Sequence, residues 1–117
     1  MTDQFRVTAE AYYETACEVL ISKQNDYGPN SIAQAPGGPI NGLRVRMHDK
    51  FTRINNLIDN GANPENESLR DSFLDLMNYA AIGVMVLDGT WPGLTQIAPV
   101  EEEEAYEPKC NCKEPYM

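Results

Sequence analysis

From Leu69 to Leu87 the chain has little choice but to be a helix. Leu69, Phe73, Leu76, Met77, Ala80, Val84 and Leu87 return at steps of three and four, the spacing that puts side chains on one face of a 3.6-residue repeat. The helix is expected to begin near residues 64–66, where Pro64 suits a first turn and Glu65 and Glu67 complement the positive helix start. Gly89 and Pro92 end it. Beyond Ala80 it is apolar nearly all round, so its C-terminal half is expected to be the most buried part of the fold.

The other face of this helix carries oxygen. Each residue turns a helix by about 100°, so, counted from Glu67, Asp71 stands near 40°, Asp75 near 80° and Asn78 near 20°, all about opposite the apolar stripe. Like charges at i, i+4 destabilise a helix by a few tenths of a kcal/mol per pair. On pattern alone such a row is a solvated face. Two things would offset the repulsion: a hard divalent cation such as Mg²⁺, or cations on a neighbouring helix.

Two further helices are expected, over residues 8–24 and 43–58. In the first, Thr8 is the expected N-cap, Tyr13, Ala16 and Leu20 form the apolar stripe, and Glu10, Glu14 and Glu18 form an acidic row. That row could meet the other across a bundle, as carboxylates from neighbouring helices do in metal sites. In the second, Met47, Phe51, Ile54 and Ile58 are apolar, while Arg46, Asp49, Lys50 and Arg53 share the polar side. There Asp49 is either a salt-bridge partner or a metal ligand, with Lys50 and Arg53 on phosphate. His48 is read as non-catalytic. Residues 29–42 are expected to be a long loop, because Pro36-Gly37-Gly38-Pro39 suits neither helix nor central strand. Lys23, Asp26 and Tyr27 stand at its edge. They are plain turn chemistry, or else Lys23 meets phosphate and Tyr27 stacks on a base.

The chain therefore reads as an all-α protein: a small bundle of three main helices. Its 117 residues imply one domain, taken as residues 1–98, with residues 99–117 an acidic, Pro- and Cys-containing tail of poor order. The net charge of −9 speaks against duplex nucleic acid as a partner, since that needs clustered Lys and Arg. The longest apolar run, residues 79–87, is too short to span a membrane, and no secretory signal is visible, so a cytoplasmic protein is expected. Cys17, Cys110 and Cys112 do not read as a disulfide framework. Cys110-Asn111-Cys112 is a reduced tail or, with help from elsewhere, a metal site. So small a chain is expected to cover its apolar surface by homo-oligomerisation. No phosphate-binding Gly-rich loop, nucleophile elbow or His-rich metal motif is present.

Three blocks, Lys23-Gln24-Asn25-Asp26-Tyr27-Gly28, Asp49-Lys50-Phe51-Thr52-Arg53 and Glu67-Ser68-Leu69-Arg70-Asp71-Ser72-Phe73-Leu74-Asp75-Leu76-Met77-Asn78-Tyr79, resemble in order and spacing the phage and bacterial family called nucleotide modification associated domain 1. That family in turn resembles the all-α MazG-like and dimeric dUTPase-type nucleoside triphosphate pyrophosphohydrolases. The resemblance implies a phage-type nucleotide-metabolism protein, a homo-oligomer acting on nucleotides of the dNTP class with Mg²⁺. It implies Glu67, Asp71 and Asp75 as the catalytic acids. Metal contacts would come from Glu14, Glu18, Asp49, Asp71 and Asp75, and substrate contacts from Lys23, Asp26, Tyr27, Lys50, Arg53 and Asn78. MazG-like enzymes space their acids Glu-x-x-Glu and Glu-x-x-Asp, whereas here the pairs are Glu14-x-x-x-Glu18 and Asp71-x-x-x-Asp75. The alternative expectation is a non-catalytic helical module that binds nucleotide or a host protein.

Overall fold

The computed structural model describes residues 2–61 and 68–94. Within them the chain is all-α, in the order α1 (Asp3–Tyr27), α2 (Asn30–Ala33), α3 (Pro39–Asn60) and α4 (Leu69–Asp88), with no strand. No described helix is long and apolar enough to cross a membrane. Glu67, residues 64–66, the domain boundary at 98/99, the acidic run 101–104 and Cys110 and Cys112 lie outside the described residues.

The helix ends differ from expectation for identifiable reasons. The cap of α1 is Thr2, whose hydroxyl accepts from the Phe5 amide at 3.2 Å, so the helix starts five residues before Thr8. Its other end is set by Gly28, with φ 75° and ψ 173°, a region essentially open to glycine alone, whose N–H donates to the Gln24 carbonyl at 2.8 Å. The loop expected over 29–42 contains α2, and Pro39 opens α3 instead of blocking it; a proline in the first turn forfeits no helical hydrogen bond. α4 starts at Leu69 behind a capping box: the Asp71 amide donates to Ser68 Oγ at 3.0 Å, and the Ser68 amide donates to Asp71 Oδ2 at 3.4 Å.

α4 is the central element. α1 and α3 each pack on it, and α2 packs on α3. The core gathers Ile32, Ala33, Leu43, Ile82 and Trp91, with Leu20, Tyr79, Met85, Val86 and Leu94 against it. The Trp91 indole N–H donates to the Pro29 carbonyl at 3.1 Å, which ties the chain after α4 to the start of α2.

The roll of α4 corrects the expected burial. Its buried residues are Ser72, Asn78 and Ile82, while Phe73, Val84 and Leu87 are more than half exposed. The half-polar side faces α1 because its polar groups find partners there. The Asn78 amide donates to the Ala16 carbonyl at 3.0 Å, across the contact between α4 and α1. On α3, Ile54 is buried as expected, but Phe51 and Ile58 are exposed. On α1, Ala16 is buried and Tyr13 is exposed. Of these exposed apolar residues Phe51, Val84 and Leu87 line a groove of about 540 Å³ between α3 and α4, walled further by Ile40, Met47 and Ala80, with Arg44 and His48 also lining it.

Candidate functional site

Three helices converge on the carboxylate of Asp75. Lys23, in the last turns of α1, places its ammonium 3.0 Å from Oδ1. Lys50, in the middle of α3, places its ammonium 2.9 Å from Oδ2. The Asp75 side chain is 13% exposed and that of Lys50 18%, whereas Lys23 keeps 53% of its side-chain surface in solvent. Burial pushes the Asp75 carboxyl up, but hydrogen bonds from Lys50 and Lys23, and the charges of both, outweigh it and hold the group below the ordinary aspartate value. Asp75 is therefore a carboxylate at neutral pH.

The triad forms one side of a cleft of about 420 Å³, within the size range of small-ligand sites. Tyr27, Gln24, Ser31 and Arg46 also line it, and Asn78, Tyr79 and Ile82 contribute from α4. The Arg46 guanidinium donates to the Ser31 carbonyl at 3.3 Å, which holds this cation at the α2 side of the cleft. Three cations, Lys23, Arg46 and Lys50, thus line the cleft with Asp75, the one carboxylate among its described lining residues. The Tyr27 ring is 73% exposed and stands at the end of α1, where the turn at Gly28 leaves it on the cleft wall.

The structure brings Lys23, Tyr27, Lys50, Asp75 and Asn78 of the expected site together. It places the others apart. Asp71 faces the amino end of its own helix as the acid of the capping box. Glu14, Glu18, Asp26 and Asp49 are exposed and line no part of the cleft, and Arg53, half-buried on α3, is not among its lining residues either. Asn78 contributes less as a ligand contact than as a structural tie, because its amide donates to α1. Arg46 was not expected in the site. Its signal was its place four residues before Lys50, which puts both cations on one side of the helix.

Of the described acids expected to hold Mg²⁺, Asp75 is the one that lines the cleft. The ion asks for near-octahedral oxygen, usually one or two carboxylates with water and phosphate. Here a lysine ammonium occupies each Asp75 oxygen, and among the described residues no three His, Cys, Asp or Glu side chains form a group able to hold a metal.

No protein-family model, curated protein or solved structure matches the chain.

Proposed function

We propose that this chain is a nucleotide-binding protein whose cleft between α1, α3 and α4 takes a nucleoside phosphate of the dNTP class. One observation carries this: Lys23 of α1 and Arg46 and Lys50 of α3 gather in one cleft of a protein with a net charge of −9. Self-repulsion gives a strongly acidic chain no reason to cluster its few cations, whereas a cleft of one sign concentrates ligand of the other. Lysine serves phosphate as a point charge and arginine as a two-pronged donor. Tyr27 offers a base an aromatic face, a contact typically worth about 1–3 kcal/mol per base.

Turnover asks for more. Metal-dependent pyrophosphohydrolysis needs a carboxylate open to metal or to the attacking water. Asp75, the one carboxylate lining the cleft among the described residues, is engaged by two lysines. Nucleotide binding is the step this geometry supports directly.

Calorimetric titration with the four dNTPs and with pyrophosphate, each with and without Mg²⁺, tests it. Saturable binding of a dNTP that weakens on Lys50→Met or Tyr27→Ala is expected. Heats indistinguishable from dilution at millimolar ligand would overturn the proposal. Pyrophosphate release in the Mg²⁺ arm would restore the hydrolase reading.

We also infer that a second copy of the chain covers the groove between α3 and α4. Ile40, Phe51, Val84 and Leu87 are exposed along this groove, and a contiguous apolar patch of this kind marks an interaction surface. Arg44, which lines the groove, is opposite in charge to the exposed Glu14 and Glu18 on α1, which suits α1 of the second copy. Light scattering should give twice the chain mass, falling to one on Val84→Glu. A monomer at 100-micromolar order would refute the pairing.

A further inference from the structure

We propose that Asp75 is the resident occupant of the anion site, a carboxylate that an incoming phosphate must displace from Lys23 and so the residue that sets the affinity of the cleft. This rests on the cleft being a phosphate site. Two ammoniums from different helices held 3.0 and 2.9 Å from the two oxygens of one group is the arrangement a phosphate would be given. A carboxylate on the central helix fills it instead.

The two lysines are not equally held. Lys50 is largely buried, and its contact is sealed between α3 and α4; Lys23 is more than half exposed at the open side. Lysine carries its charge on a flexible four-carbon stem. Lys23 can therefore swing from Asp75 to a phosphate in the cleft without any helix moving, while Lys50 stays and keeps Asp75 neutralised. The Lys23 contact is an exposed pair, so a ligand that must break it before making its own gives up at most about fivefold in affinity.

A purely structural ion pair predicts the opposite response. If Asp75 only positions the lysines, removing its charge lets them wander and weakens any anion. If Asp75 competes, removing its charge frees Lys23 and tightens the anion.

Calorimetric titration of pyrophosphate into the full chain and into Asp75→Asn separates these. Tighter binding in Asp75→Asn, by about two- to fivefold with helicity unchanged, is expected. Equal or weaker binding in a folded variant overturns the competition and leaves the cleft reading standing. No binding to either chain overturns both. A second measurement needs no variant: the carboxyl carbon resonance of Asp75 in the wild-type chain should move as pyrophosphate saturates, while that of Asp49 stays. A stationary Asp75 resonance at saturation overturns the proposal even if Asp75→Asn does not fold.

Discussion

Lys23 and Lys50 make contacts of nearly equal length with the same carboxylate, yet removing them should have unequal consequences. Lys50→Met keeps the length of the stem and deletes only the charge. Asp75 is then left 13% exposed, with a single partner that is itself mostly in solvent. Hydrogen bonds to charged groups are worth about 1.5–3 kcal/mol, and little solvent screening reaches this pair, so a loss of about 2 kcal/mol is expected. Lys23→Met deletes a contact whose cation is 53% exposed. Exposed pairs are worth about 1 kcal/mol or less, so its cost should stay below that. Urea unfolding followed by circular dichroism measures both. With a slope of about 1 kcal/mol per molar urea, the midpoint should fall by about 2 M for Lys50→Met and by less than 1 M for Lys23→Met. Because both lysines share one carboxylate, the double variant should depart from the sum. Equal shifts, or a larger one for Lys23→Met, would show that burial does not decide the worth of these contacts.

Asn78→Asp should destabilise by about 2–4 kcal/mol in the same assay, because it sets a carboxylate against the Ala16 carbonyl where an amide now donates. Asp71→Asn should cost about 0.3–1 kcal/mol, the worth of a negative charge in the first turn of a helix, and leave dNTP affinity unchanged; a tenfold loss of affinity would return Asp71 to the site. The Asp75 carboxyl is depressed in the fold, so the native state binds its proton later than the unfolded chain. Its contribution is complete above the unfolded value of about 3.9 and disappears as pH falls through the folded value. Unfolding free energies taken from pH 7 to pH 2 should show this loss in the wild-type chain and its absence in Asp75→Asn.

The helical class and the three main helices were legible because turn formers and the 3.6-residue period are local signals. The roll of α4 was not. The period shows that Phe73, Val84 and Leu87 share a face, but nothing local says whether a neighbour covers it. The side that is covered carries Asp75 and Asn78, tolerated there through partners contributed by α1 and α3. Asp71 and Asp75 look alike on a helical wheel. They differ by one turn along the axis, and that turn puts Asp71 at the helix end, where free backbone amides claim its carboxylate. The pairing of Lys50 with an acid of α4 was readable from two facing stripes of opposite sign. Arg46 lay in the same stripe, but only the course of α2, with Ser31 as its acceptor, brings it into the cleft.

The indole of Trp91 is held by the carbonyl of Pro29, two residues beyond the tyrosine that closes α1. It is the only tryptophan in the chain and is 5% exposed. The protein thus carries its own fluorophore, fastened to the strip of backbone between Tyr27 and the cleft-lining Ser31. Any ligand that shifts this strip changes the environment of a single emitter, so occupancy of the cleft can be followed in unlabelled protein by the colour and intensity of its emission.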